Sequence, residues 1–198
     1  MDLHEFDMQY YGEYPLLCGM DEAGRGPLAG DVFAAAVILA PDTVIEGIND
    51  SKKLTEKKRE RLYDIIKEKA LSYGIAYGTV EEIESVNILG ATFLAMNRAI
   101  ASLETKPDFA LIDGNRAPKG ITIPCETVVK GDGKAMSIAA ASVLAKVTRD
   151  RLMLEYDKTY PQYNFKKHKG YGTREHTELI RLNGPCEIHR MSFLKNIL

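Results

Sequence analysis

Residues 18–30 read CGMDEAGRGPLAG and connect two apolar runs, 14–20 and 31–40. Both runs have the length and composition of β-strands, which predicts two neighbouring strands of one sheet. Two adjacent acids, Asp21 and Glu22, stand in the connecting stretch and are followed by three glycines. Because glycines leave backbone N–H groups bare, a polar ligand could approach the chain closely there. The stretch is therefore a candidate functional site.

The acidic pair Asp21–Glu22 has two interpretations. Most isolated Asp-Glu pairs are solvated acidic turns, but here the flanking apolar runs and the sequence GRG favour a site. Two ionised carboxylates beside a packed strand cost free energy unless a cation offsets them, and a divalent metal would do so. Since side chains in a regular strand alternate between its faces, we expect the strand to end or distort here if both acids are to bind one metal cluster.

A phosphate-binding P-loop is a competing interpretation of the same stretch, because Gly19 and Gly24 have the GxxxxG spacing. The following residues do not fit, since Arg25 and Gly26 stand where a P-loop requires Lys and then Ser or Thr. The loop also carries two acids where it should bind phosphates. A P-loop is therefore disfavoured.

The overall composition is that of an ordinary globular protein and names no function. The 198 residues, 45% of them hydrophobic and 27% charged, suit one domain with a sizeable core or one domain with a helical appendage. No apolar run approaches the roughly 20 residues that span a bilayer, and the acidic N terminus lacks the positive region of a signal peptide. These features predict a cytoplasmic protein that does not enter a membrane.

Three cysteines and four histidines are scattered without the short paired spacing of zinc ligands. A disulfide framework and a structural zinc site are thus disfavoured, and reduced thiols are expected. For His176 and His189, structural hydrogen bonding is favoured over metal ligation.

The charge is small overall but unevenly distributed. The net charge is −2 and the pI about 6.1, which argues against a polycation that binds any nucleic acid. Residues 130–198 nevertheless contain 13 Lys and Arg against 7 Asp and Glu, whereas residues 1–129 contain 13 against 21. A basic C-terminal third beside an acidic remainder suits a protein that holds phosphates on one surface and metals on another.

Apolar patterning along the rest of the chain predicts further elements of an α/β domain. Three more strands are expected, at 72–80, 107–115 and 121–129. Helices are expected after an N-cap at Thr55 and over 87–103, 135–156 and 174–182. Strands that alternate unevenly with helices predict a five-stranded mixed sheet flanked by helices. The polar segment 1–13 is expected to be a loosely held arm.

Further acids follow apolar segments. Asp113 ends a short apolar run and precedes a glycine, a position where open α/β sheets place their chemistry, although an Asx-turn that caps the strand explains it equally well. Asp132 and Asp150 are both candidates for a fourth acid, and their spacing does not choose between them. A set of oxygen ligands without histidine or thiol suits Mg²⁺ or Mn²⁺.

The C-terminal third contains candidate contacts to nucleic acid. Ser142, Lys146 and Asp150 fall on one face of the long predicted helix, which could be a phosphate-facing edge or could simply carry a Lys146–Asp150 ion pair on the surface. Basic and aromatic residues interleave over 166–171, a pattern suited to holding a nucleic-acid backbone while a ring stacks on a sugar or base.

These segments together resemble one family. DEAGRGPLAG at 21–30 is similar to the signature of type 2 ribonuclease H (ribonuclease HII), and the family's later segments occur here in the same order: DSK at 50–52, KGD at 130–132, SIAAASVLAKVTRD at 137–150 and HKGYGT at 168–173. The resemblance extends from about residue 14 to residue 193. It implies a ribonuclease H-like α/β fold, with a catalytic domain at 14–158 and a small helical C-terminal segment at 159–198 that packs on it and binds substrate.

The resemblance also implies a metal site. Asp21, Glu22, Asp113 and Asp132 would bind two Mg²⁺ or Mn²⁺ ions, with Asp21 bridging both. Asp132 is chosen as the fourth ligand because the family's fourth carboxylate lies in the KGD segment, which leaves Asp150 as a supporting or ion-pairing residue.

Substrate contacts are implied in the same way, to the phosphates, to the ribose 2′-hydroxyl and to the sugar at a junction of ribonucleotide and deoxynucleotide. The residues are Lys52, Ser142 and Lys146 for phosphates, the backbone of Gly24, Arg25 and Gly26 for the 2′-hydroxyl, and Tyr171 for the junction sugar.

The implied activity is endonucleolytic cleavage by a monomer. It would cut the RNA strand of RNA/DNA hybrids, and duplex DNA 5′ to an embedded ribonucleotide, leaving a 3′-hydroxyl and a 5′-phosphate. Such cleavage serves ribonucleotide removal and DNA replication and repair. Two alternatives stay open at this point: a resolvase-like nuclease, whose activity would not depend on Tyr171, and a hybrid-binding protein without catalysis, in which changing Asp21 would alter no rate.

Overall fold

The computed structural model describes residues 2–198, which form a five-stranded mixed sheet with helices on both faces. The strands are β1 (Leu17–Ala23), β2 (Val32–Ile38), β3 (Ser72–Gly78), β4 (Phe109–Asp113) and β5 (Cys125–Val128). The helices are α1 (Leu3–Tyr11), α2 (Glu56–Lys69), α3 (Val80–Ala101), α4 (Met136–Thr159), α5 (Phe165–His168) and α6 (Arg174–Asn183). The sheet order is β3-β2-β1-β4-β5, which confirms the predicted α/β class and the mixed sheet.

The first three strands form an antiparallel meander, and β4 and β5 extend it in parallel on the far side of β1. Every residue of β2 is buried, because helices cover both of its faces. Ala35 and Val37 belong to the core under α2 and α4, whereas Ala34 and Ala36 belong to the core under α3. This division follows from the alternation of side chains along a strand.

Helix α4 lies close against the sheet because small residues face each other there. Its first turns contain the alanine run 139–141, and all three alanines are buried. In β1, a side-chain carbon at Gly19 would lie 2.1 Å from the backbone of Ser137, so only glycine allows this approach. The close packing fixes the end of β1 relative to α4.

Several element boundaries differ from the sequence-based predictions. Strand β1 is shifted towards the C terminus of its predicted range, so it includes both acids instead of stopping before them. Helix α3 begins at Val80 rather than at 87, after a capping box formed by Thr79 and Glu82, and is kinked at Asn87, where φ is 63°. The apolar periodicity of α3 is clear only after this kink, which explains the late predicted start. Strand β5 is shorter than the predicted 121–129.

The predicted loosely held arm is wrong for residues 2–13, while Met1 lies outside the described residues. Helix α1 is capped by Asp2, and its Tyr11 packs in a core with residues of β1 and β4. The buried carboxylate of Asp7 accepts a hydrogen bond of 2.8 Å from the N–H of Ser137, in the first turn of α4. The carboxylate thus binds one of the N–H groups that a helix start leaves without a partner.

The C-terminal residues pack in one core with α4 and with the segment that follows β1. Tyr163, Phe165 and Ile180 pack with Ala29 and with Met153 of α4. The division at residue 158 stays a prediction. Cys18, Cys125 and Cys186 are free thiols. Among residues 2–198, none of the helices combines the length and apolar character that crossing a bilayer requires.

Candidate active site

The candidate site lies where β1 and β4 separate at their C-terminal ends. The parallel pairing of the two strands ends at Met20 opposite Ile112, whereas β1 continues beside β2 to Ala23. Asp113, the last residue of β4, therefore lies beside the end of β1 that carries the acidic pair. A crevice at the carboxyl ends of neighbouring strands is where α/β sheets place their chemistry.

Asp21 and Glu22 lie in a regular part of β1, opposite Ala35 and Ala34 of β2. The expectation that the strand ends or distorts at the acids is therefore wrong, and their side chains leave opposite faces of one strand. Asp21 is buried on the α4 side, within reach of the Ser142 hydroxyl. Glu22 is half-buried on the side of α3. The two acids approach the crevice from the two faces of the sheet.

Asp113 and Asp132 are joined by a short backbone contact. The Asp113 Oδ1 accepts a hydrogen bond of 2.6 Å from the N–H of Gly131, which begins the turn that carries Asp132. Asp113 thus bonds to another segment of the chain rather than only capping its own strand. The Nζ of Lys52 lies 3.5 Å from Oδ2 of Asp132, so an ammonium group already sits beside the acids.

Burial and the charges of neighbouring acids raise the pKa values of Asp21, Glu22 and Asp132. Burial, followed by the charges of Glu22 and Asp113, raises the pKa of Asp21 well above its usual range. Burial raises the pKa of Glu22, against the opposing charge of Arg25, and Asp113 adds to the rise. Burial and then the charge of Asp113 raise the pKa of Asp132. The crevice therefore concentrates more negative charge than its protein neighbours neutralise.

Three clefts meet at these acids. Glu22 and Asp113 line a cleft of about 350 Å³ beside α3. Glu22 also lines a groove of about 450 Å³, hereafter the substrate groove, and Asp113 and Asp132 line a third cleft of about 400 Å³. Lys52 lines both the substrate groove and the third cleft, so the openings adjoin. Asp21 lies buried beneath them, and a cavity of about 570 Å³ beside α2 is remote from the acids.

The substrate groove brings together every residue that the sequence predicts as a substrate contact. Those residues are Gly24, Arg25, Gly26, Lys52, Ser142, Lys146 and Tyr171. A side-chain carbon at Gly26 would lie 3.9 Å from the ring of Tyr171, so the GRG segment and the tyrosine face each other. The exposed Tyr171 ring has Lys146 Nζ 5.6 Å and the Arg149 guanidinium 5.8 Å from its centroid. Such cation–ring contacts favour one ring position.

Asp150 lies apart from the acidic crevice. Its Oδ1 accepts a 2.6 Å hydrogen bond from Lys146 Nζ, and its Oδ2 lies 3.9 Å from Arg59. The Lys146–Asp150 pair considered from the sequence does form, but it is largely buried rather than on the surface. Lys146 still lines the substrate groove, so the ion pair orients this lysine without removing it from the groove.

Arg190 holds the glycine-rich segment from behind, and sequence reasoning did not identify it. Its side chain is fully buried and donates hydrogen bonds to the carbonyls of Gly24 (2.6 Å), Arg25 (3.1 Å), Pro27 (2.8 Å) and Gly30 (2.5 Å). Burial, with the nearby positive charge of Arg149, lowers the pKa of Arg190 to about 9. A guanidinium with five donors suits four carbonyls in a fixed arrangement.

Arg149 has a similar role at the other side of the same segment. Its guanidinium donates to the carbonyls of Ala29, Asp31 and Lys169, at 3.0, 3.2 and 3.0 Å. Gly24 has a φ of 97°, and a side-chain carbon there would lie 2.2 Å from Nε of Arg149. The first glycine of GRG is thus required both by its backbone conformation and by the arginine packed on it.

Ile88 and Phe193 also line the substrate groove without having been predicted. The predicted helix over 87–103 contains Ile88 without marking it as a groove residue, and Phe193 lies in a 3-10 turn, Met191–Phe193, which carries no periodic signal. For Arg190, the sequence offers a basic residue without any local indication of its partners. None of these three residues carried a sequence signal for its place at the groove.

The acids fit hard divalent cations in donor chemistry and in location. All four donors are carboxylates, the charge of Asp113 raises the pKa values of Asp21 and Asp132, and Lys52 already places a positive charge among them. Within residues 2–198, no three His, Cys, Asp or Glu side chains already surround a single point as a complete ion site would. Carboxylate side chains would therefore have to rotate towards a bound ion.

Comparisons with known proteins point to one family and agree with the fold. The family model described as Ribonuclease HII matches residues 18–196. A ribonuclease HII from Endomicrobium trichonymphae is 56% identical over 194 residues, covering 97% of this chain and 92% of the relative. Among solved structures, the ribonuclease H2 from Pyrococcus horikoshii OT3 matches with a TM-score of 0.72 at 24% identity, covering 91% of this chain and 96% of that one. Bst-RNase HIII in complex with Mn²⁺ matches with a TM-score of 0.66 at 18% identity, covering 85% and 63%.

Proposed function

Because the chain belongs to the ribonuclease HII family, we propose that it hydrolyses the RNA strand of RNA/DNA hybrids and cuts duplex DNA 5′ to embedded ribonucleotides. Ribonuclease H endonuclease activity is that of the family, which decides against the resolvase-like and non-catalytic alternatives. The finer proposal is carried by one observation: Glu22, Asp113 and Asp132 meet where three clefts join, beside a groove lined by the predicted phosphate and sugar contacts.

Asp21, Glu22, Asp113 and Asp132 are the residues to which we assign two divalent ions, Mg²⁺ or Mn²⁺. The raised pKa values of Asp21 and Asp132 and the Mn²⁺ complex of the related Bst-RNase HIII support this assignment. When bound, such ions supply Lewis acidity for the attack of water on phosphorus and for the departure of the 3′-oxygen. The products are a 3′-hydroxyl and a 5′-phosphate.

The chain's own residues bind and orient the substrate. Lys52 and Lys146 line the substrate groove, where they attract phosphates, and Ser142, which lines the same groove, is within hydrogen-bonding reach of Asp21. Phosphate contacts alone do not distinguish ribose from deoxyribose. We assign that discrimination to the backbone of the GRG segment and to Tyr171, which face each other across the groove.

The C-terminal residues 159–198 serve, in this proposal, as a substrate-binding segment packed on a catalytic domain at 14–158. The contribution of Tyr171 to the substrate groove supports this role. The substrates place the protein in ribonucleotide removal and in DNA replication and repair. We expect it to act as a monomer in the cytoplasm.

Cleavage of a defined duplex tests the proposal. A DNA duplex that contains one ribonucleotide, an all-DNA duplex and an RNA/DNA hybrid are each incubated with the protein and Mg²⁺ or Mn²⁺. We expect a single cut 5′ to the ribonucleotide, cuts along the RNA strand of the hybrid, and none in the all-DNA duplex. Equal cutting of the all-DNA duplex would contradict discrimination at the ribose.

A matched pair of variants tests the acidic crevice in the same assay. Asp21→Asn should abolish cutting, whereas Asp64→Asn, a change of an exposed acid on α2, should leave it unchanged. Full activity of Asp21→Asn would remove this carboxylate from the proposed metal site.

A further inference from the structure

Three histidines of the C-terminal segment lie buried together, away from the acidic crevice. His168 stacks on His176 with ring centroids 4.3 Å apart, and Nε2 of His176 lies 3.1 Å from Nε2 of His189. The rings of Tyr163 and Phe165 surround them. Neither His176 nor His189 is exposed by more than 2%.

The hydrogen bonds around His176 and His189 allow only one placement of their protons. The N–H of Cys186 donates to Nδ1 of His189 at 2.9 Å, so this nitrogen is the acceptor and Nε2 of His189 carries the proton. That proton is donated to Nε2 of His176, whose own proton must then lie on Nδ1. Nδ1 of His176 donates in turn to the carbonyl of Tyr171 at 3.0 Å. We call this series, from the Cys186 N–H to the Tyr171 carbonyl, the histidine chain.

Both histidines of the chain are neutral near neutral pH. Burial lowers the pKa of His176 to about 4, and the charge of His168 contributes; burial likewise lowers the pKa of His189 to about 4. The third ring is equally committed, because His168 Nε2 bonds to the carbonyl of Tyr163 at 2.8 Å and its Nδ1 accepts from Gly170 at 3.2 Å. No ring nitrogen of these three residues is left to bind a metal ion.

The histidine chain ends at the carbonyl of Tyr171, which lies between Gly170 and Gly172. The N–H of Tyr171 donates only locally, to the carbonyl of His168 at 2.9 Å. The Tyr171 carbonyl accepts the hydrogen bond from His176 and a second one, of 2.8 Å, from the N–H of Thr173, only two residues away. Of these two bonds, only the one from His176 continues to a distant segment, through His189 to Cys186.

We propose that His176 and His189 are positioning residues that set the orientation of Tyr171 and thereby the selectivity for a ribonucleotide–deoxynucleotide junction. The inference rests on the proposed function, in which the Tyr171 ring contacts the junction sugar. It extends that function by adding two residues that touch no substrate. Loss of the histidine chain should let the Tyr171 backbone rotate at its glycine neighbours, so that the ring leaves the position opposite Gly26.

Two substitutions of His176 distinguish the loss of its hydrogen bond to Tyr171 from the loss of its buried ring. His176→Asn keeps an amide N–H near the position of Nδ1 and thus a donor to Tyr171, whereas His176→Gln places its amide near the position of Nε2 and loses that donor. Both remove the buried ring. Single-turnover cutting is measured on a duplex with one ribonucleotide and on a long RNA/DNA hybrid, together with the Tm of each variant. We expect His176→Gln to lower the ratio of the two rates about tenfold, the effect of one lost hydrogen bond, and His176→Asn to restore most of it.

A double-mutant cycle with Tyr171→Ala identifies the route of the effect. If His176 acts through Tyr171, adding His176→Gln to Tyr171→Ala should change the rate ratio no further. Multiplication of the two effects, or equal ratios for the Asn and Gln variants, would overturn the proposal. If Tyr171→Ala alone leaves the ratio unchanged, the role of Tyr171 in the proposed function fails instead. His4→Gln, on α1, is the control histidine and should change nothing.

The tautomers give a test that needs no variant. Nitrogen-15 NMR of the wild-type side chains should show a proton on Nδ1 of His176 and on Nε2 of His189. A proton on Nε2 of His176 would break the histidine chain and overturn the proposal, even if the position-176 variants failed to fold.

Discussion

The acidic crevice adjoins a second region around Tyr171, hereafter the Tyr171 corner. The two regions differ in whether their buried polar groups have partners. In the acidic crevice, which consists of Asp21, Glu22, Asp113 and Asp132, burial and repulsion raise the pKa values of three of the four groups. In the Tyr171 corner, formed by residues 24–30 and 168–190, buried polar groups are matched to partners by Arg190, Arg149 and the histidine chain. The acidic crevice therefore holds more negative charge than its protein neighbours neutralise, whereas hydrogen bonds in the Tyr171 corner restrict the movement of its residues.

The difference teaches which part of a site carries chemistry and which carries selectivity. Negative charge that is not neutralised destabilises the free protein but attracts cations. Satisfied hydrogen bonds to buried carbonyls stabilise the fold and leave the groove with a fixed shape. Substitutions in the two regions should therefore have effects of opposite sign on stability, although both reduce function.

The largest effect is expected for Asp21→Asn in the acidic crevice. Cleavage should fall by about 10²- to 10³-fold or more, because a carboxylate at the centre of the proposed metal site is lost. Stability without metal should rise by about 1 kcal/mol or more, since one of several buried like charges is removed. Urea unfolding in the presence of a chelator measures the second effect. An Asp21→Asn protein less stable than the wild type under these conditions would contradict the inference that the crevice holds negative charge without a compensating partner.

Arg190→Lys should weaken both stability and activity. A lysine ammonium cannot serve the four carbonyls that Arg190 binds, so buried acceptors lose partners at a cost of roughly 3 kcal/mol or more. Cleavage should fall because the GRG segment is no longer held against Tyr171. Chemical denaturation and single-turnover cutting measure the two effects.

The exposed Arg174, which pairs with Glu178 on α6, provides the control for Arg190. Arg174→Lys should change stability by no more than about 0.5 kcal/mol. Equal losses of stability for Arg190→Lys and Arg174→Lys would show that the hydrogen bonds of Arg190 contribute no more to stability than an exposed ion pair.

Stability should depend on pH through the Tyr171 corner. His176 and His189 have folded pKa values of about 4, below the usual value of about 6.5, so their stabilising contribution is complete above pH 6.5 and is lost as the pH falls towards 4. The loss should be on the order of 2 to 3 kcal/mol for each histidine. Denaturation of the wild type and of His176→Asn from about pH 8 to about pH 5 should show their difference in stability shrinking as the pH falls.

Asp7 acts in the opposite direction over the same pH range. Burial raises the pKa of Asp7 to about 6, so its protonation on folding favours the native state as the pH falls through 6. Comparing the wild type with the His176 variant cancels this contribution. A difference between the two proteins that stays constant with pH would contradict neutral burial of His176.

The smallest effect on stability is expected for Lys52→Ala. The side chain is 77% exposed, and its contact with Asp132 Oδ2 at 3.5 Å is long, so stability should change by less than about 0.5 kcal/mol. Affinity for a hybrid should nevertheless fall, and the slope of log affinity against log salt should decrease by about 1, as for one lost phosphate contact. An unchanged salt slope would remove Lys52 from the phosphate contacts.

Many residues of the candidate site could be selected because their signals are local in sequence. Asp21 and Glu22 stand beside GRG and Asp113 follows an apolar strand, so residue types and immediate neighbours made these acids candidates. The choice of Asp132 and the role of Tyr171 came from the family resemblance. The packing of residues 3–11 was not predictable, since the place of α1 depends on Asp7 bonding with Ser137, 130 residues away; the capping box of Asp2 and Glu5 is a local signal of its helical state.

The sequence by itself therefore determined the α/β class, the order of the five strands and a set of candidate acids, because periodicity and local chemistry depend on neighbouring positions. Only the tertiary structure decided that β1 stays regular through both acids, that Asp150 pairs with Lys146, and that Arg190 binds carbonyls 160 to 166 residues earlier in the chain. Backbone carbonyls are chemically the same at every position, so the residue types do not indicate which carbonyls a buried guanidinium will bind. Such partners are chosen by how the chain packs.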